Sequence, residues 1–319
     1  TWTGGTMSGA GTTTIAPGGT LHVTGSGGRS LDARSLDNFG ATVWDATNDL
    51  DFANGGTVDN RAGATFTILD SGGRLFSGGA GSFNNQGAFV KMSGGTTDVY
   101  YVAFNNDGRV EVVSGTLELE NAGGAGDGAF EVDSGTTLRF QGGSYDLGSL
   151  AQVTSAGTVQ FSGGTVDLAG SLDVTGTVRV DGGTANLSGP TTITQALVSN
   201  GTLNLSYAAA TVGDLDVTGG FFTAAGGASV DAITFSGGDV NGSGMFTVTE
   251  VMTWTDGTMS GAGTTVIAPG AELHIFGDTK TLYERTLSND GTATWTGGTF
   301  YLSAGAEFNN RAGALFDVQ

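Results

Sequence analysis

Residues 157–194 read GTVQF-SGG-TVDL-AG-SLDV-TG-TVRV-DGG-TANL-SGP-TTIT, a run of segments about four residues long, each closed by a short, usually glycine-containing turn. Side chains alternate between the two faces of a strand. Val159 and Phe161, Val166 and Leu168, and Leu172 and Val174 therefore share one side, as do Val178, Val180, Ala185 and Leu187 further on, while Gln160, Asp167 and Asp173 take the other. Strands this short make hairpins of little stability. They hold if each pairs in parallel with its counterpart one cycle later, about 4.8 Å away, and all apolar sides line one interior. The pattern predicts an all-β fold, a parallel β-solenoid of about three short strands and about 22 residues per coil, about 14 coils in all. The variable coil length points to a right-handed β-helix, since left-handed hexapeptide solenoids keep a stricter coil.

An NxG or AG sequence opens each cycle, at Gly40, Gly63, Gly87, Gly108, Gly135, Gly157, Gly176 and Gly201, with spacings of 23, 24, 21, 27, 22, 19 and 25. A GG corner follows at 72–73, 94–95, 142–143, 163–164, 182–183 and 297–298. Asparagine recurs at one corner: Asn38, Asn60, Asn85, Asn106, Asn200, Asn289 and Asn310. Stacked Asn side chains can hydrogen-bond along an axis, and Asn tolerates the left-handed backbone of a tight corner, so a structural ladder is expected. Trp2, Trp44, Trp254 and Trp295 each precede a turn. The register puts them, with Trp254 and Trp295 counted as core, on the inward side, where each indole N–H needs a partner.

A longer period encloses the short one. Residues 1–23 and 253–275 are identical at 18 of 23 positions, and NRAG at 60–63 returns at 310–313. The expected organisation is one continuous solenoid over 1–319, with a super-repeat over 1–252 and the start of the next over 253–319. Self-similar chains of this kind build extent. Both ends fall inside coils and carry no distinct cap, so more of the same is expected to flank the segment.

Composition narrows the function. Glycine supplies 59 of 319 residues, proline 3 and cysteine none. Disulfides and thiolate metal sites are excluded. The net charge is −20, with 11 basic residues against 31 acidic ones and only two lysines, Lys91 and Lys280. Phosphate backbones and anionic membranes need clustered Lys and Arg, so nucleic acid is not an expected partner. No apolar run is long enough for a membrane span, and membrane insertion is not expected. The acidity is expected to keep a long particle soluble, with cation-dependent bundling or attachment as the alternative.

No catalytic motif stands out: there is no GxSxG elbow, HExxH pair or Walker loop. His22 and His274 are repeat equivalents on outward registers and make neither a catalytic pair nor a metal site. GGAGDGAFE at 123–131 is similar to a calcium nonapeptide, but its aspartate stands one residue early and the segment occurs once. A glycine-rich loop bulging from one long coil accounts for it, so no cofactor is expected, with surface Ca2+ as the one alternative. Threonines after the GG corners lack the regular companion column of an ice-binding face. The basic residues look isolated along the chain, which counts against a β-helix polysaccharide lyase or hydrolase.

The coils NxGTφxφ-xGG-Tφxφ, glycine-rich and cysteine-free, resemble the secreted β-solenoid repeats of bacterial autotransporter passengers and filamentous-haemagglutinin-like adhesins. The resemblance implies an extracellular or cell-surface location and a role in a fibre or in attachment. The expected function is a non-catalytic structural segment of an extracellular filament, partnered by copies of itself in tandem or end to end and by surface or matrix polysaccharide. The alternatives are the stalk of a secreted adhesin whose binding domain lies elsewhere, and a polysaccharide enzyme.

Overall fold

The computed structural model describes residues 1–69 and 73–319. Gly72 of the 72–73 corner lies outside the described residues. Among these the chain is all strand, turn and bend, with no helix. It is a parallel β-solenoid of about 15 turns, about 21 residues per coil and three strands per turn. Two compact units divide it, Thr1–Ser171 and Leu172–Gln319.

In the first unit each coil up to residue 106 supplies one strand to each of three columns. Gly5–Ser8, Arg29–Asp32, Leu50–Ala53, Leu75–Phe76, Thr96–Tyr100 and Thr116–Glu120 follow one another in the first. Thr12–Ile15, Ser35–Asn38, Thr57–Asn60, Ser82–Asn85 and Ala103–Asn106 form the second. Thr20–Gly25, Ala41–Ala46, Thr65–Ile68, Ala88–Lys91, Arg109–Val112 and Ala129–Val132 form the third. Alternation along each strand turns one side chain set inward, and aromatic rings stack coil on coil: Phe66 lies 5.8 Å from Phe89, and Phe83 lies 5.4 Å from Phe104. Every inward residue read from 157–194 is buried, from Val159 to Leu187, and Asp167 and Asp173 are exposed.

Two expectations change. The strands are not all short: Thr137–Leu147, Thr158–Leu168, Ser171–Leu187 and Thr191–Leu205 run through their glycine corners. Coils of nearly equal length stack corner on corner, so pairing continues with a register shift where the glycines sit. The opening glycines and GG corners also do not mark one corner throughout. Thr96, Thr116 and Thr137 are ladder partners, yet Thr96 follows Gly94–Gly95 while Thr137 precedes Gly142–Gly143. The motif slips by one strand position between Gly108 and Gly135. Gly128, not Gly135, opens the strand that pairs with Arg109–Val112, so the 27-residue spacing is one coil plus one strand.

Glycine is required where coils approach most closely. A Cβ on Gly87 would stand 2.3 Å from the Ala64 carbonyl oxygen. The 123–131 segment shows the same constraint. Gly123–Gly126 is not a bulging loop but a strand paired with Ser144–Leu147, and a Cβ on Gly124 would meet the Phe104 carbonyl oxygen at 1.9 Å.

Candidate functional site

Two polar ladders flank the second column of the first unit. On the inward register, Asn38 Nδ2 donates to Asn60 Oδ1 at 2.8 Å, Asn60 to Asn85 at 2.7 Å and Asn85 to Asn106 at 2.8 Å. The remaining Nδ2 hydrogens reach the carbonyls of Thr65, Ala88, Arg109 and Ala129, each opening the next strand one coil on. The Gly40 N–H donates to Asn38 Oδ1, closing the corner. All four amides are buried, and their hydrogen bonds remove the cost of burying them. In the second unit Asn289 donates to Asn310 Oδ1 at 2.7 Å and to the Leu315 carbonyl at 2.8 Å. On the outward register Asn105 donates to Asn84 and Asn84 to Asp59, while Arg61 bridges Asp59 and Asp37 at 3.2 Å.

Asn200 does not belong to these ladders. Tracing back from Asn289, the rungs are Ile267, Val248, Val230, Val212 and Ile193. Asn200 sits at a different corner, paired with Asp181, exposed, and its Oδ1 caps the Gly201 N–H. The NG dipeptide is a local turn signal, which does not say which corner it occupies.

All four tryptophans use one local device. The indole N–H donates to the carbonyl two residues on: Trp2 to Gly4, Trp44 to Ala46, Trp254 to Asp256 and Trp295 to Gly297. Trp44 and Trp254 are fully buried, as is expected of core. Trp295 is only half-buried, because a single strand, Leu315–Val318, stacks beyond it in its column.

Several basic residues lie inside, which the sequence reading did not foresee. Lys91 ends the strand Ala88–Lys91 on the register of Trp44 and Ile68. Its ammonium donates to the Ser93 carbonyl, again two residues on, and to Ser93 Oγ, Gly95 O and Ser114 O at 2.7–2.9 Å. Burial pulls its pKa down to about 8. Lys280 donates to the carbonyls of Phe276 and Asp278, and its super-repeat counterpart Arg29 to those of Thr24 and Gly25. The counterparts Arg34 and Arg285 likewise reach equivalent partners, Thr13 Oγ1 with Ser8 O, and Thr265 Oγ1 with Ser260 O. The signal was present: Lys91 shares the parity of Phe89 in AFVK, so a strict period-2 reading places it inside.

The outward face of the first column carries the densest chemistry. Arg74 is held by Asp49 at 2.9 Å, and its guanidinium lies 5.5 Å from the ring centres of both Phe76 and Tyr100, which stack at 5.9 Å. Asp98 and Glu118 are ladder neighbours, and Arg139 ion-pairs with Glu118 at 2.9 Å. Burial raises the carboxyl pKa of both, against the pull of Arg139 on each and of Arg74 on Asp98. These charges are 20 to 25 residues apart along the chain, so residues that look isolated in sequence become adjacent in space. Elsewhere, His274 lies 3.0 Å from Glu272 on an outward register, and His22 is exposed. Asp127 of the 123–131 segment is exposed and accepts the Leu150 N–H. Among the described residues no three His, Asp or Glu side chains converge on a common point.

No protein-family model matches the chain, and neither a curated protein nor a solved structure is significantly similar to it.

Proposed function

We propose that this chain is a non-catalytic structural segment of an extracellular β-solenoid filament or surface fibre. The observation that carries the reading is repetition of role as well as of sequence. Residues 252 or so apart make the same bonds: Trp2 and Trp254 to the carbonyl two residues on, Arg34 and Arg285 to a threonine hydroxyl and a serine carbonyl. A fold that reproduces internal details at long range is suited to being extended in tandem. Parallel ladders, an aromatic and aliphatic spine and internal Asn ladders brace the coils within each unit, and the acidic surface favours solubility. Secretion of a cysteine-free chain needs no oxidative folding step.

Negative-stain imaging of the native material tests this. Fibres of uniform width that label with an antibody against this segment are expected. Discrete particles free of any fibre, with the antigen in the cytoplasm, would overturn the reading.

A further inference from the structure

We propose that the outward face around Phe76 binds a neutral glycan strand. Phe76 is the last ring of its column. Tyr100 covers one side of it, while on the other the successive rungs are Asp51, Ser30 and Thr6. Three short polar rungs next to a ring leave a trough about 10 Å long, at about 4.8 Å per rung. Two shallow depressions meet there, of about 430 and 320 Å³, and both are lined by Phe76 and Asp51. One wall is backbone: a Cβ on Gly78 or Gly79 would meet nothing within 4 Å, so a ligand can lie close against the chain.

The lining has the chemistry of sugar recognition. A half-exposed aromatic face offers stacking to the apolar face of a pyranose, and carboxylate and amide oxygens accept hydroxyl hydrogens. Arg74, tied to Asp49, holds the Phe76–Tyr100 pair in place. Asn54, at φ 48, is fixed by donating to Asp32 Oδ1 at 2.7 Å. Among the described residues the Asp51 carboxylate has no hydrogen-bond or ion-pair partner and is only half-buried. Asp49, Asp51 and Asp98 outnumber Arg74 and Arg29, the latter lining the smaller depression with its guanidinium turned to the Thr24 and Gly25 carbonyls, and the chain carries −20 overall. Uronate-rich or sulfated glycans are therefore repelled, and a neutral one is selected.

This inference is independent of the filament reading, which rests on the ladders. The test is titration of the full chain with neutral hexasaccharides (cellohexaose, laminarihexaose and mannohexaose), followed by calorimetry. Saturable binding to at least one is expected. Phe76→Ala should weaken it at least tenfold and Asp51→Ala severalfold, Phe76→Tyr should keep it within threefold, and all three variants should melt as the wild type does. Binding to none of the three, binding indifferent to Phe76→Ala, or tighter binding of polygalacturonate would overturn the proposal. So would binding of a lysine-rich peptide in place of sugar, or self-association that Phe76→Ala abolishes.

Discussion

Lys91 shows how much one side chain can depend on its corner. Its ladder neighbours are Ile68 and Val112, and a charge among them is tolerated because carbonyls of two coils and one hydroxyl surround it. Lys91→Met keeps the stem and removes the donors, so the Ser93 and Ser114 carbonyls lose their partner while the Gly95 carbonyl keeps the Thr116 N–H. At about 1–3 kcal/mol per orphaned group, a net loss of about 3 kcal/mol is expected in denaturant melts at pH 7. The pH dependence has a definite sign. The folded-state pKa of about 8 lies below the ordinary lysine value of 10.5, so between those two the unfolded chain binds more protons than the folded one. The wild type should therefore gain stability relative to Lys91→Met as pH rises from 8 to 10.5, and the gap between the two should be flat below 8. A gap that moves the other way would mean that the carbonyl cage holds the proton instead of burial expelling it. Phe161 and Asp167 test the opposite faces of one strand. Phe161 is buried and stacks 5.6 Å from Phe140, so Phe161→Asp should cost about 3–5 kcal/mol. Asp167→Asn, exposed, should stay within about 0.5 kcal/mol.

At the scale of the strand, parity was legible and pairing was not. Period-2 alternation places Val159 to Leu187 correctly because it depends only on the pleat. Which strands become neighbours depends on the length of every intervening turn. A slip of one strand between Gly108 and Gly135 is therefore invisible in the motif itself, and Asn200 looks like its namesakes while occupying another corner. The same blindness hid Arg74, Asp98, Glu118 and Arg139, which meet only across coils. The ladder supplies its own test. Asn60→Leu deprives Asn38 of its acceptor and Asn85 of its donor, and frees the Ala88 carbonyl. A loss of about 2–4 kcal/mol is expected for these buried groups. Asn200→Ala should change the denaturation midpoint by an amount worth no more than about 0.5 kcal/mol. Equal losses at the two sites would remove the distinction between ladder and turn.

At the scale of the molecule, the super-repeat claims that a stretch of sequence carries its own structural role wherever it recurs. Residues 1–23 and 253–275 differ at five positions. Gly4, at φ 159 with Gly27 Cα 3.3 Å from where a Cβ would stand, has no room for the Asp of the later copy, so the chimera keeps it and carries Thr14→Val, Gly19→Ala, Thr20→Glu and Val23→Ile. Each change has a local reason to be tolerated. Thr14 is an outward rung opposite Asp37, and Thr20 is exposed at the start of its strand. A Cβ on Gly19 would approach the Ala16 carbonyl at 3.0 Å, a contact the later copy accommodates with Ala271 N–H donating to the Ala268 carbonyl. Val23→Ile adds one methylene beside Trp44, where the later copy sets Ile275 beside Trp295. Overpacking by one methylene in a dense core is the largest expected term, about 1 kcal/mol, and the chimera should stay within that of the wild type, melting in the same number of steps. A loss of several kcal/mol would mean that the two copies are tuned to different surroundings and share ancestry without sharing a module. A neutral exchange would mean that the chain can be lengthened by copying, which is what a filament built by tandem repetition requires.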